Sequence, residues 1–218
     1  MTMRIIECEQ GSEAWHAARA GRVTASRVAD IVRKIKNGTP SKMRATYLGE
    51  LVAERLSGFQ SADGFTSPAM QWGKDREAEA VAAYQFETMT LTTKVGFVVH
   101  PTMDWAGASP DRLVGEIGIL QIKAPNSATH IESLKGAAID PDYWKQMQWE
   151  MACCPQRKWC DFGSYDPRMP ERMRLLVQRV MRDDRYITEL EGEVAKFLAE
   201  VEADVAALNA RYGLEKAA

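Results

Sequence analysis

The stretch that most constrains this chain is residues 109–123, SPDRLVGEIGILQIK. Residues 118–123 are bounded by glycines and rich in Ile and Leu, which reads as a short β-strand. Side chains alternate along a strand, so Gln121 and Lys123 point to one face while Leu120 and Ile122 point to the other. One face is apolar and the other carries chemistry. A turn around Gly115 and Glu116 predicts a hairpin whose other arm brings Asp111 to Gln121 and Lys123. Three polar side chains then share one small volume.

The rest of the chain reads as cover for that strand. A short extended start over residues 4–8 precedes GSEAWHAARAG, where Ser12 is the N-cap, Glu13 lies in the first turn and Gly21 is the stop. Thr24 or Ser26 caps a second helix with Val28, Ile31 and Val32 at helical spacing, up to a loop over residues 36–40. A third helix is predicted over residues 42–57, with an apolar stripe of Tyr47, Leu48, Leu51, Val52 and Leu56 and a stop at Gly58. After the loop FQSADGFTSP, a long helix over about 68–87 places Met70, Gly73, Glu77, Val81 and Tyr84 on one stripe. Strand signals follow at 91–100, 105–108 and 117–123, then a helix over 143–153, strands at 159–165 and 173–180, and a last helix over about 184–211. That order predicts an α/β (α+β) fold, a central mixed sheet flanked by helices, in one domain spanning residues 1–218.

Composition narrows the class. A hydrophobic fraction of 45% and a charged fraction of 27% are those of an ordinary globular protein. No apolar run approaches the roughly 18 residues needed to cross a bilayer, and the amino terminus lacks a signal-peptide pattern, so no membrane partner and a cytoplasmic compartment are expected. Cys8, Cys153, Cys154 and Cys160 match neither a zinc ribbon nor a disulfide framework and read as reduced core residues. The net charge of −2 argues weakly against nucleic acid, but it conceals an uneven distribution. Arg19, Arg22, Arg27, Arg33, Lys34, Lys36, Lys42 and Arg44 crowd the front third, and the tail beyond Ile187 is largely acidic. A DNA-facing surface in the front third is the corresponding expectation.

Phosphodiester hydrolysis needs an activated water, stabilisation of charge on phosphorus and help for the leaving oxygen. A hard cation held by carboxylates, with a lysine beside it, supplies these parts. Asp111 followed by Gln121 and Lys123 has that outline, and an ordinary surface hairpin has it too. Glu77 is equally open, as a ligand or as an exposed residue at the stripe edge, since a carboxylate among core positions needs a partner. The scattered His16, His100 and His130 lack metal-ligand spacing, and the six tryptophans read as core.

Six blocks settle more when taken together: GSEAWHAARAGRVTAS, WGKDRE, GASPDRLVG, ILQIKAP, YWKQMQWEM and SYDPRM, in order from Gly11 to Met169. Their order and spacing resemble those of the lambda exonuclease and YqaJ-like viral recombinase family, within the PD-(D/E)xK nucleases. The resemblance implies a restriction-endonuclease-like fold and a magnesium-dependent exonuclease, with manganese as a substitute. Such an enzyme degrades the 5′-ended strand of duplex DNA and leaves 3′ overhangs for recombination. It implies metal ligation by Asp111, Glu77, residue 121 and the Ile122 carbonyl, catalysis by Lys123, a 5′-phosphate site of Arg19, Ser26 and Ser109, and a site wall of Tyr143 and Gln146. It also implies a homotrimer around DNA, a single-strand annealing protein as partner, and a phage or prophage protein in a bacterial host.

One position departs from the pattern. The family has E-x-K where this chain has Gln121-Ile122-Lys123. An amide offers an oxygen but brings no negative charge and takes no proton. Three explanations stand: an engineered glutamate-to-glutamine change, a natural variant in which Glu150 or Glu116 has taken over, or a protein that binds DNA ends without cutting them.

Overall fold

The computed structural model describes residues 3–60 and 68–213, with the main chain alone for 68–70 and 74. After β1 (Arg4–Ile6), the Ser12 side chain accepts from the Trp15 N–H and starts α1 (Glu13–Arg19). The chain then runs through β2 (Val23–Thr24), a 3-10 turn over Ala25–Arg27 and α2 (Val28–Val32). Neither Thr24 nor Ser26 caps α2 as expected; the Thr24 N–H donates to the Tyr47 hydroxyl instead, and the tight turn takes the place of the cap. Then come α3 (Lys42–Ser57), closed by Gly58 at φ 76°, and α4 (Pro68–Thr88). The loop expected between them lies outside the described residues over 61–67, as does the Met70 side chain. Val81 and Tyr84 of the α4 stripe are buried.

The strands divide between two sheets. β3 (Thr92–Thr93) and β4 (Phe97–Val99) occupy the run expected at 91–100, but they belong to different sheets. β4 lies between β1 and β5 (Ala106–Ala108), both antiparallel to it, and β2 extends that sheet parallel to β5. In the second sheet β3 pairs with β6 (Arg112–Val114), β6 with β7 (Gly118–Lys123), and β7 with β8 (Trp159–Tyr165). β9 (Leu175–Met181) completes it beside β8. The β7–β8 pair is parallel and the other three are antiparallel, so the sheet is mixed.

Between β3 and β6 the chain changes sheet twice, at residues 94–96 and at 109–111. At the first change, a Cβ on Gly96 would lie 2.3 Å from the Ile6 carbonyl oxygen, so only glycine lets the two backbones pass. The Gln10 side-chain amide donates to both Val95 O and Pro110 O and joins the two crossings. Asp111 stands on the second one.

Helices cover both faces of β7. Leu120 and Ile122 pack with Ala80, Val81 and Tyr84 of α4, while Ile119 belongs to the larger core. That core includes Met147, Trp149 and Met151 of α6 (Pro141–Cys153) and Leu190, Val194, Phe197 and Val201 of α7 (Asp184–Tyr212). Between β7 and α6 lies α5 (Ser127–Leu134), which no apolar period announces; Asn126 caps it, and its buried residue is His130. Cys153, Cys154 and Cys160 are buried, Cys8 is half-buried, and all four are free thiols.

Candidate active site

The hairpin of β6 and β7 puts Asp111 opposite Gln121. Asp111 Oδ2 accepts from Gln121 Nε2 at 2.9 Å and from the Ile122 N–H at 2.6 Å. Gln121 is buried, and its Oε1 accepts from Gln146 Nε2 at 3.1 Å. That same Nε2 lies 2.9 Å from Oε1 of Glu150, one helical turn further along α6. Lys123, at the end of β7, has its ammonium 4.9 Å from the centre of the Tyr143 ring, which in turn stacks on Phe162. Asp111, Gln121, Ile122, Lys123, Tyr143 and Gln146 are thus brought together. Glu116 is exposed in the hairpin turn at the other end of β7.

Burial dominates the electrostatics. It pushes the Asp111 carboxyl up to about 6, with Lys123 and the Ile122 N–H opposing the rise and the Glu77 charge adding to it. Burial and then the Asp111 charge push Glu150 up to about 8. Its Oε2 is buried with no hydrogen-bond partner.

These features fit a hard divalent cation. The donors are oxygens, the Asp111 carboxyl is deprived of solvent, and a second carboxyl nearby has an unpaired oxygen. The set is mixed, since no three His, Cys, Asp or Glu side chains form a metal-holding group among the described residues. Gln121 turns its NH2 toward Asp111, and rotation about its terminal bond exchanges that donor for its oxygen.

Glu77 is carried by α4, where its Oε1 accepts from Arg112 at 2.7 Å. The same Arg112 nitrogen donates to the Asp111 carbonyl, so Arg112 links the two acids. A cleft of about 520 Å³ opens beside this pair, lined also by Glu7, Glu9, Gln10 and Lys94.

Arg19 and Ser109 meet through a residue that the sequence reading assigned to the core. The Trp15 indole donates to Ser109 Oγ at 2.9 Å, and the Arg19 guanidinium lies 4.2 Å from the Trp15 ring centre. Burial lowers the pKa of Arg19, and its Nε has no hydrogen-bond partner. Ser26 is exposed, with its Oγ 3.5 Å from Thr24 Oγ1, and no hydrogen bond joins it to Arg19 or Ser109 among the described residues. The wider basic surface expected of the front third is partly neutralised within the fold. Arg27 pairs with Asp30 and Glu50, Arg33 with Asp142, and Arg44 with Glu200.

Two mixed sheets flanked by helices, with an acid and a lysine meeting on a central hairpin, define a nuclease-like fold of the lambda exonuclease type. Residues 14–156 match the YqaJ-like viral recombinase domain, and the chain belongs to that family. It is similar to an alkaline exonuclease (LHK-Exo) from Laribacter hongkongensis, with 46% identity over 93% of this chain and 98% of that one and a TM-score of 0.86. The structure of LHK-Exo in complex with dAMP superposes as well, with a TM-score of 0.85, 46% identity and the same coverage. A phage-related exonuclease from Haemophilus somnus 129PT shares the fold at 15% identity, with a TM-score of 0.63 over 86% of this chain and 96% of that one. No curated protein matches the sequence.

Proposed function

We propose that this protein is a metal-dependent exonuclease. It degrades the 5′-ended strand of duplex DNA, leaves 3′ overhangs for recombination, and turns over more slowly with Gln121 than it would with glutamate. The observation that carries the reading is the convergence of Asp111, Gln121 and Lys123 on one hairpin. The relatedness to an alkaline exonuclease that has been seen with dAMP supports it.

Asp111, Glu77, the Gln121 amide oxygen and the Ile122 carbonyl would hold magnesium, or manganese in its place. The bound cation supplies a more acidic water and offsets negative charge on the phosphate. Lys123, steadied by the Tyr143 ring, places a positive charge beside the scissile phosphate. Gln121 fixes Asp111 by a hydrogen bond but accepts no proton, so proton removal falls to solvent. Arg19 offers a fork of donors, and Ser109 and Ser26 offer hydroxyls, to the terminal 5′-phosphate. The chain acts as one nuclease domain. We further infer a homotrimer around the duplex and transfer of the 3′ strand to a single-strand annealing protein. The exposed Phe86, Met89 and Leu91 near the end of α4 support a contact surface.

A second reading, an end-binding protein that does not cut, draws on the hydrogen bond from Gln121 that already occupies Asp111. A time course on linear duplex DNA with 5′-phosphates and Mg2+ separates the two. Slow digestion by this chain and faster digestion by Gln121→Glu is the expected result. Equal, rapid digestion by both defeats the slowing role of Gln121, and no digestion by the glutamate form defeats the nuclease reading.

A further inference from the structure

Glu150 lies in the last turn of α6 with its side chain wholly buried. Its Oε1 accepts from Gln146 at 2.9 Å, while its Oε2 has no hydrogen-bond partner. The charges that reach it are those of Asp111 and Lys123. A buried carboxyl with one bare oxygen and no ion-pair contact among the described residues opposes folding, so its place in the core calls for a compensating role.

Gln146 connects it to the site. Its NH2 group directs one hydrogen to Glu150 Oε1 and the other to Gln121 Oε1. Gln121 in turn donates to Asp111 Oδ2. Glu150, Gln146, Gln121 and Asp111 form an unbroken hydrogen-bonded row, with an acid at each end and two neutral amides between. Of the other acids, Glu77 is paired with Arg112, and Glu116 is exposed at the far end of β7.

We propose, on the nuclease reading above, that Glu150 is the second acid of this site: from α6 it supplies the negative charge that Gln121 lacks, and it holds Gln146 so that the Gln121 amide stays fixed beside Asp111. It is a positioning residue that acts through Gln146. Gln146 gives one hydrogen to each neighbour, so the orientation of the Gln121 amide is set from Glu150 through it.

The test uses Mn2+ and no DNA. Calorimetric titrations and thermal melts with and without Mn2+ are run on the full chain, on Glu150→Gln, on Gln121→Glu and on the double variant. Glu150→Gln is expected to weaken Mn2+ binding by about tenfold or more, in the range found for outer partners of metal sites. The double variant, which moves the charge back to position 121, is expected to bind about as tightly as the unaltered chain. Without metal, Glu150→Gln should melt no lower than the unaltered chain, because it removes a buried acid with one bare oxygen and keeps the shape. Unchanged Mn2+ affinity in Glu150→Gln overturns the proposal. So does a double variant no better than Glu150→Gln, an unaltered chain that binds no Mn2+, or a Glu150→Gln protein that is unfolded or melts lower without metal. Duplex digestion is scored separately. A chain that binds Mn2+ through Glu150 yet leaves DNA intact defeats the nuclease reading alone.

Discussion

An amide at position 121 changes the direction of the hydrogen bonds around it. A glutamate there would meet Asp111 as a second anion, whereas Gln121 donates to Asp111 and accepts from Gln146. Asp111 and Lys123 were legible in the sequence because strand alternation and a turn pair suffice to bring them together. Trp15 and Arg112 were not, and Glu150 was legible only as one of two acids that could replace the missing one, because each depends on an approach between elements far apart in the chain. The Arg19 assignment gains from the Trp15 contact, since a ring beneath the guanidinium limits where its fork points. Arg19→Ala is therefore expected to reduce the preference for 5′-phosphorylated over 5′-hydroxyl ends, read from digestion rates on matched duplexes; an unchanged preference removes Arg19 from that role. His100 offers a separate test. It is buried, stacked on Trp149, accepts from the Thr102 N–H at Nδ1, and meets Glu191 through Nε2. Burial holds its pKa below the ordinary value, against the pull of Glu191 and with help from the nearby Arg4 charge. The unfolded chain then takes up the proton first. This contribution to stability is present above about pH 6.5 and lost as pH falls below it. Urea denaturation at pH 8 and pH 5.5 should show a fall in stability that shrinks in His100→Gln; identical falls in both proteins count against a buried neutral His100.

Among the elements, long helices were easier to read than short strands. The α3 and α7 stripes repeat over several turns, and the α3 bounds coincide with the expected 42–57. The run at 91–100 looked continuous, yet it contributes to both sheets, because a strand of two or three residues carries too little alternation to reveal its partner. The helix over Ser127–Leu134 was invisible for a related reason, having one buried residue and no stripe. Strand β7 depends on a glycine that alternation ignores. Gly118 stands beside Trp159 in the parallel β7–β8 pair, and a Cβ there would fall 2.1 Å from the indole ring. Gly118→Ala is expected to cost about 1–3 kcal/mol, the range for overpacking a well-filled interior. A lower urea midpoint with an unchanged slope would show it, and an unchanged midpoint would mean that the indole moves aside freely.

At the scale of the whole molecule, the charge asymmetry seen in the sequence has a structural counterpart. The acidic carboxyl-terminal helix lies against the basic front: Arg44 pairs with Glu200, and Arg55 with Glu202. The glutamates of both pairs are exposed to solvent, which screens such contacts, so the apolar seam beneath them does more of the joining. Val194, Phe197 and Val201 are fully buried there, and Phe197 stacks on Tyr47 at 5.6 Å. The stripe on α7 is legible from its spacing but what it covers is not, because a stripe shows that a helix is buried without naming its neighbour. The contact from Phe197 to Tyr47 carries a further consequence for how the chain is made. Tyr47 receives the Thr24 N–H and stacks beneath Arg27, so the turn at 24–27 is not fully set until α7 docks. Ribosomes deliver α7 after the hairpin that bears Asp111 and Lys123 has already emerged. The nascent chain therefore carries its acid and lysine before Tyr47 has its ring partner, and the turn at 24–27 is set only once α7 has been released.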